Sequence, residues 1–385
     1  MTNDINIVSQ NAIELIAERI KNLKTLNIIV AGKTGVGKST LINAVFRDNL
    51  ADTGIGKPVT DHMRKITKKD IPLNVYDTRG FELGKDVQNQ VKKEVVDTIR
   101  DGLSKHDINE AIHCIWYCIN SASNRVEPEE IEWIKELSKE NQVTEVPIII
   151  VLTQSFSKSH AQKMRKMLLE ENLDVVNIVP VLADDYEIDD EYTAKAFGLE
   201  ELIRVMGETL PDELLDTLQN VQIASLAEKT KLAHKAVAAA TTLAIGEGAV
   251  PIPFVSDATL LIPTQLGMIA SITAIFGFEV NKSILTGFLS STLGAGGATI
   301  LGRTIVSNLV KLIPGAGSVV GGVISGGTAG LLTAALGEAY IGIMSLVFNG
   351  EMSIKDLETD KGRKKMANLF KEELSKSKNN KKDIQ

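Results

Sequence analysis

A glycine-rich loop with one lysine and one hydroxyl residue at its end stands near the start of the chain. It reads Gly32-Lys33-Thr34-Gly35-Val36-Gly37-Lys38-Ser39, which fits the phosphate-loop pattern G-x-x-x-x-G-K-[ST]. An apolar run over 26–31 precedes it and a helix-like run over 40–46 follows it. Glycines let backbone N–H groups turn toward phosphates, and the positive end of a helix adds to the attraction. The loop therefore predicts a nucleotide site, in which Lys38 reaches the terminal phosphates and Ser39 holds Mg²⁺.

A second short motif, Asp77-Thr78-Arg79-Gly80, follows the strand-like run over 72–76. In a doubly wound sheet, an aspartate at the carboxyl end of a strand lies beside the phosphate loop. There Asp77 can hold Mg²⁺, directly or through water. The backbone N–H of Gly80 would face the last phosphate, so this segment can respond to hydrolysis.

The segments Gly32–Ser39, Thr60 and Asp77–Gly80 resemble, in order and spacing, the first three sequence boxes of translation-factor-class (TRAFAC) GTPases. Within this translation-factor and dynamin-like class, the loop variant is most similar to those of septins, of immunity-associated and immunity-related GTPases and of bacterial Era-like relatives. The resemblance covers about residues 26–210 and implies an α/β domain with a doubly wound, mostly parallel sheet. It also implies GTP and GDP as ligands, Mg²⁺ as cofactor, GTP hydrolysis and, in many members, a homodimer formed through the G domains.

The same resemblance implies roles for individual residues. Lys38, Thr60 and Gly80 would act in hydrolysis, and Ser39, Thr60 and Asp77 would surround Mg²⁺. The residues expected to contact the nucleotide are Gly32, Lys33, Thr34, Gly35, Val36, Gly37, Lys38, Ser39, Thr40, Asp77, Gly80, Thr153, Gln154 and Ala183.

The chain departs from the family pattern at three positions. Phe81 stands where Ras-like proteins carry a water-orienting glutamine. Gly35 stands where potassium-activated Era-like members carry asparagine, which disfavours a potassium-dependent mechanism. Phe156 ends the fourth box, Thr153-Gln154-Ser155-Phe156, in place of the aspartate that pairs with guanine. Guanine specificity and relaxed or ATP specificity therefore both stay open.

Ala183 resembles the alanine of the fifth box, and two carboxylates, Asp184 and Asp185, follow it directly. Two interpretations of this pair stay open. It supplies the carboxylate that the fourth box lacks, or it is simply an exposed acidic loop.

Composition bounds the remaining possibilities. The chain has 385 residues and a formal net charge of −7, which disfavours nucleic acid as a general partner. The two cysteines, Cys114 and Cys118, share one apolar run and are too far apart along a strand to form a disulfide. No secretory signal is visible at the N-terminus. We therefore expect a cytoplasmic protein.

A sharp change in composition predicts five segments. They are an N-terminal helix (1–25), a GTPase domain (26–210), a helical connector (211–235), a hydrophobic helical domain (236–350) and a basic polar tail (351–385). A charge run such as the tail is typical of a disordered, solvated end, and attraction to anionic lipid is the alternative.

Three uncharged runs in the hydrophobic domain, 258–278, 283–302 and 312–337, have about the length that spans a bilayer. Proline or many glycines interrupt each run, with Pro263 in the first. Small residues at three- and four-residue spacing let membrane helices approach closely. The runs therefore predict membrane-associating helices or, alternatively, a buried helical bundle. Residues 250–257 and 262–266 resemble a glycine-rich C-terminal domain of unknown function found in some bacterial Era-like GTPases.

The sequence thus predicts a Mg²⁺-dependent GTPase whose nucleotide state controls a C-terminal domain that associates with membrane lipid or oligomerises. One alternative is a nucleotide switch without useful catalysis. The other is a scaffold in a membrane-remodelling or pore-like assembly.

Overall fold

The computed structural model of the chain describes residues 2–47, 50–78, 84–123, 125–142, 144–247, 258–293 and 326–382. These residues form two compact units. The α/β unit is Leu23–Glu228, and the helical unit joins Met1–Asn22 to Lys229–Gln385. Helix α1 (Thr2–Lys21) therefore belongs with the C-terminal helices rather than with the unit that follows it in sequence.

A seven-stranded sheet in the order β2-β3-β4-β1-β5-β6-β7 forms the centre of the α/β unit. Its strands are β1 (Leu26–Gly32), β2 (Ile55–Pro58), β3 (Met63–Thr67), β4 (Leu73–Thr78), β5 (Cys114–Asn120), β6 (Ile148–Thr153) and β7 (Asn177–Pro180). The five strands from β4 to β7 in this order are parallel. Near-continuous apolar runs suit them because both faces of a parallel sheet are covered. The predicted doubly wound, mostly parallel fold is confirmed.

Helices cover both faces of this sheet. They are α2 (Lys38–Val45), α3 (Leu50–Thr53), α4 (Gly84–Ser104), α5 (Pro128–Asn141), α6 (Lys158–Glu170), α7 (Leu199–Thr209) and α8 (Asp212–Val221), with a small hairpin of β8 (Tyr186–Glu187) and β9 (Thr193–Ala194) between α6 and α7. Because successive strand residues alternate faces, neighbours such as Ile115 and Trp116 belong to two separate cores. The Trp116 ring is fully buried and stacks on Phe46, with centroids 5.6 Å apart.

The glycines and the proline of the segment 53–60 predict a loop, but Ile55–Pro58 within it form the edge strand β2. Strand β2 pairs with β3, and β3 pairs with β4, both in antiparallel register. A tight turn closes the hairpin, since the N–H groups of Val59 and Thr60 both donate to the Met63 carbonyl. Pro58 is tolerated because an edge strand has an unpaired side.

The helical unit contains α1, the greater part of α9 (Leu226–Glu247), and α10 (Ala258–Phe276), α11 (Lys282–Leu293), α12 (Gly326–Phe348) and α13 (Asp360–Lys382). Helix α1 packs on α10 and α11, and α13 packs on α11 and α12. The C-terminal region is therefore helical, as predicted. The motif over 250–257 and the glycine-rich stretch over 294–325 lie outside the described residues.

Hydrogen bonds tie these helices together inside the helical unit. The ammonium of Lys229 is buried and donates to the carbonyls of Ile275 (2.9 Å) and Phe276 (3.2 Å), which satisfies the end of α10. The hydroxyls of Thr273 and Tyr340 lie 2.8 Å apart. Such contacts position helices whose surfaces are otherwise mainly apolar.

Two expectations for this region are wrong. Residues 360–382 form helix α13 instead of a disordered tail, because Met366, Phe370 and Leu374 recur every four residues and are buried. Pro263 does not end its apolar run, since it lies within the first two turns of α10. Within the described residues, one helical stretch, Ala329–Phe348, is long and apolar enough to cross a membrane, and 56% of its most apolar window is buried.

Candidate functional site

The glycine loop joins β1 to α2, as its pattern predicts, and two glycines show why the residue type matters. A Cβ on Gly32 would meet the Cys118 carbonyl oxygen at 2.4 Å. Gly37 caps α2 at φ +93°, a conformation that L side chains rarely adopt. The ammonium of Lys38 donates to the carbonyls of Gly32 (2.9 Å) and Lys33 (3.0 Å), which folds the side chain back over the loop.

A cavity of about 720 Å³, the phosphate cavity, opens over this loop. Its lining is Thr34, Gly35, Gly37, Lys38, Ser39, Thr40, Arg64, Asp77, Thr78 and Gln154. The loop and the carboxyl end of β4 thus meet at one site, because β4 is the parallel neighbour of β1. Val36 is buried beneath the loop.

Asp77 has the carboxylate expected to hold Mg²⁺. Its Oδ2 accepts from Nε and Nη2 of Arg64, both at 3.0 Å, while its Oδ1 is buried and has no partner among the described residues. Burial raises the pKa of Asp77, although the charges of Lys38 and Arg64 act in the opposite direction. Mg²⁺ takes carboxylate and hydroxyl oxygens. The orphaned Oδ1 and the Ser39 hydroxyl on the same cavity therefore fit this ion.

Thr60 does not lie with the other expected Mg²⁺ ligands. Its hydroxyl donates to the carboxylate of Glu94 on α4, and His62 Nδ1 lies 3.0 Å from the other oxygen of Glu94. The β2–β3 hairpin directs the Thr60 side chain toward α4. The role of Thr60 as a Mg²⁺ ligand stays a prediction, and it requires the Thr60 hydroxyl to leave Glu94. Gly80, together with Arg79 and Phe81, lies outside the described residues.

Thr153 and Gln154 support the loop in this structure. The Thr153 hydroxyl lies 2.5 Å from the Val36 carbonyl, and the Gln154 side-chain N–H donates to the Gly35 carbonyl at 2.8 Å. Lys33 also makes a structural contact, since its ammonium lies 2.9 Å from Glu127 and 3.2 Å from Glu130. Burial acts to lower the pKa of Lys33, but the hydrogen bonds and charges of Glu127 and Glu130 together outweigh burial and raise this pKa.

A second cavity of about 450 Å³, the base-side cavity, adjoins the first and shares Gly37, Thr40 and Gln154 with it. Its wall includes Ala183 and the rings of Phe156 and Tyr186, whose centroids lie 4.4 Å apart. The aromatic ring at position 156 thus forms part of the cavity where the fourth box would place a carboxylate.

Two carboxylates line the base-side cavity, and the structure distinguishes them. Both carboxylate oxygens of Asp185 already have partners, since one pairs with the Lys195 ammonium at 2.8 Å and the other accepts the backbone N–H of Ala196 at 2.8 Å. Asp184 is exposed, and its carboxylate has no hydrogen bond or ion pair to any part of the chain that the structure describes.

Comparison with known proteins places this site in a family context. A family model for septins matches residues 22–203. This stretch, called here the septin-like domain, is therefore similar to the P-loop GTPase domain of septins. The chain is 29% identical over 175 residues to Septin-9 of Rattus norvegicus, covering 39% of this chain and 31% of that protein. It is 26% identical over 199 residues to the neuronal-specific septin-3 of Homo sapiens, covering 44% and 55%.

The septin-like domain is thus only part of the chain, and the chain spans less than two thirds of the length of either relative. The structure of Cdc11 from Saccharomyces cerevisiae aligns at 16% identity with a TM-score of 0.31, over 50% of this chain and 95% of that one. P-loop GTPases of this kind bind GTP or GDP with Mg²⁺. The septin part of the sequence resemblance is confirmed, whereas the likeness of residues 235–350 to a domain of Era-like GTPases stays a prediction.

Sequence reasoning missed two residues of the septin-like domain, Arg64 and Glu94. The β2–β3 hairpin creates both contacts, because the register of β3 against β4 sets Arg64 opposite Asp77, and the turn of the hairpin brings Thr60 to Glu94 on α4. Only recognition of a strand over 63–67 and of its pairing with β4 could have indicated Arg64.

Proposed function

We propose that this protein binds GTP and GDP with Mg²⁺ and hydrolyses GTP to GDP and phosphate. The observation that carries the proposal is the juxtaposition of Lys38, Ser39 and the orphaned carboxylate oxygen of Asp77 on one cavity. A phosphate loop alone accepts many nucleotides. The match of residues 22–203 to the septin model supports a guanine nucleotide.

The chain's own groups have distinct tasks in this reaction. The loop N–H groups and Lys38 stabilise the charge on the phosphates, and Ser39 and Asp77 would hold Mg²⁺, which supplies further charge stabilisation. Water attacks the terminal phosphorus, and the bond to the bridging oxygen breaks. GDP leaves with the electron pair, and the proton of the water passes to phosphate or solvent.

Single-turnover hydrolysis by the full-length protein tests this function. We expect Mg²⁺-dependent release of phosphate from bound GTP, with a rate that rises with protein concentration if the G domains pair. A rate independent of concentration would point to catalysis within one chain. Tight GTP binding without phosphate release would instead identify a non-catalytic switch.

We propose that Asp184 supplies the carboxylate for guanine. Guanine presents N1–H and N2–H donors on one edge, whereas adenine presents an acceptor at N1, which a carboxylate repels. Asp184 lies in the base-side cavity beside Ala183 with its oxygens unengaged, while Asp185 is already paired.

Asp184→Asn should weaken GDP binding by about 10- to 100-fold, because a charge-assisted pair of hydrogen bonds is lost. Calorimetry with GDP and ADP measures the change. Asp185→Asn is the matched control and should change GDP affinity by less than about threefold, since an exposed ion pair contributes little. Equal effects of the two variants would remove Asp184 from this role.

We further propose that the nucleotide state governs association of the helical unit with membranes in the cytoplasm. The apolar helix Ala329–Phe348 supports this proposal, and the buried contacts of Lys229 and Thr273 favour the alternative of a packed bundle. We expect the full-length protein to float with anionic lipid vesicles in one nucleotide state more than in the other. Absence of flotation with either GDP or a non-hydrolysable GTP analogue would leave the bundle interpretation.

A further inference from the structure

Among the described residues that line the phosphate cavity, Arg64 is the charged residue to which the proposed reaction assigns no task. The charged members of that lining are Lys38, Arg64 and Asp77. Strand β3 carries Arg64 opposite Asp77, so the guanidinium reaches the carboxyl end of β4 from the side. Its position is therefore fixed by the sheet and not by a surface loop.

The contact between Arg64 and Asp77 is incomplete for a structural ion pair. An arginine usually binds both oxygens of a carboxylate with two parallel hydrogen bonds. Here Nε and Nη2 of Arg64 both donate to Oδ2 of Asp77, at 3.0 Å each. The buried Oδ1 of Asp77 has no partner in the described part of the chain. A buried oxygen without a partner is costly. This geometry leaves one carboxylate oxygen for a second cation.

The guanidinium also has room to move. The side chain of Arg64 is 44% exposed, whereas that of Asp77 is 11% exposed. An arginine has five N–H donors on three nitrogens. The contact with Asp77 involves Nε and Nη2 but not Nη1. A divalent ion on Asp77 would repel the adjacent guanidinium, while a triphosphate in the same cavity would attract it.

We propose that Arg64 is a phosphate-binding residue of this site that occupies Asp77 until Mg²⁺ replaces it. In the free protein, Arg64 neutralises the buried carboxylate. When the metal and the nucleotide arrive, the guanidinium moves from Oδ2 to a phosphate oxygen of the triphosphate. This inference rests on the proposed binding of GTP with Mg²⁺ and adds to it a residue that competes with the metal.

Arg64→Ala in the full-length protein tests both parts of the inference. Calorimetry with a non-hydrolysable GTP analogue gives its Kd at saturating Mg²⁺ and the Mg²⁺ concentration at which binding is half-maximal. We expect the Kd to rise about tenfold or more, because a charge-assisted contact with phosphate is lost. We expect the Mg²⁺ requirement to fall several-fold, because the competing cation is gone.

Lys65→Ala is the matched control, because it removes one positive charge from the next residue of β3. The Lys65 ammonium lies 5.3 Å from the centre of the Tyr76 ring and does not line the phosphate cavity. This variant should stay within about twofold of wild type in both measurements, because the Lys65 charge is half-buried at the surface, outside the cavity, where solvent screens it. Arg64→Gln, which retains hydrogen-bonding groups, serves as a second variant if Arg64→Ala folds poorly.

An unchanged Kd in the Arg64 variants would overturn the role in phosphate binding. A Mg²⁺ requirement that stays the same or rises would overturn the competition at Asp77. If the wild-type protein binds no nucleotide, the proposed function fails and this inference fails with it. If the wild type binds and only the Arg64 results disagree, the proposed function stands without this inference.

Discussion

Lys38→Ala should raise the Kd for GDP with Mg²⁺ by at least about a hundredfold, because a charge-assisted contact with phosphate inside a cavity is worth several kcal/mol. Lys38→Ala removes the two bonds from the ammonium to loop carbonyls. The glycine conformations of the loop and its bonds to Thr153 and Gln154 do not involve this side chain, so we expect the loop to keep its shape. Calorimetry on the full-length protein measures the affinity, and fluorescence of the two tryptophans checks that the α/β unit is folded.

The matched control lies in the same loop. Lys33→Ala removes an equal charge, but this lysine is engaged with Glu127 and Glu130 at the start of α5. We expect its Kd for GDP to change by less than about fivefold, because the ammonium of Lys33 is bound to these two carboxylates and the partly exposed pair with Glu127 contributes little. Similar losses in both variants would mean that the loop responds only to its total charge and that Lys38 has no special contact.

Trp116→Ala should lower the free energy of unfolding of the α/β unit by about 3–5 kcal/mol, the usual cost of removing a buried tryptophan. Trp116 has no exposed surface, lies on the central strand β5 and stacks on Phe46. Filling the cavity would require the sheet or the α2 end to move. Urea unfolding followed by the fluorescence of Trp133, which lies in the same unit, measures the change.

Leu169→Ala is the control for this stability measurement. Leu169 belongs to the same unit, on α6, and is 53% exposed, so its truncation should cost less than about 0.5 kcal/mol. A loss below about 1 kcal/mol for Trp116→Ala would contradict the packing of this core.

The central strands could be predicted because their signal is local. Strands β1, β4, β5 and β6 are apolar runs with a polar or glycine residue at the carboxyl end. The glycine loop that carries Lys38 follows β1, and Asp77 lies at the carboxyl end of β4. Parallel pairing of these two strands then brings the residues together without further information. This is why the phosphate side of the site followed from sequence.

The β2–β3 hairpin could not be predicted because its pairing is not local. Gly56 and Pro58 indicate a loop, and only the edge position of β2 makes them compatible with a strand. The register that sets Arg64 beside Asp77 and turns Thr60 toward Glu94 depends on β4. Because the strand β3 was not predicted, the contact of Arg64 with Asp77 and that of Thr60 with Glu94 were not predicted either.

The helical unit shows the same limit on a larger scale. The pattern of apolar residues predicted α1, and buried Met366, Phe370 and Leu374 repeat at helical spacing in α13. A pattern of this kind shows which side of a helix is buried, but it does not show which other helix packs against that side. That α1 packs on α10 and α11, far away in sequence, follows from tertiary contacts alone.

The most direct test of guanine-nucleotide binding is calorimetry of the full-length protein with GDP and with ADP, each in the presence of Mg²⁺. The arrangement of Lys38, Asp77 and the base-side cavity predicts a clear Mg²⁺-dependent preference for GDP, by about a hundredfold or more for a site that reads hydrogen bonds on the base. Equal affinities, or weak binding of both nucleotides, would contradict it. The cavity beside Phe156 would then not recognise guanine.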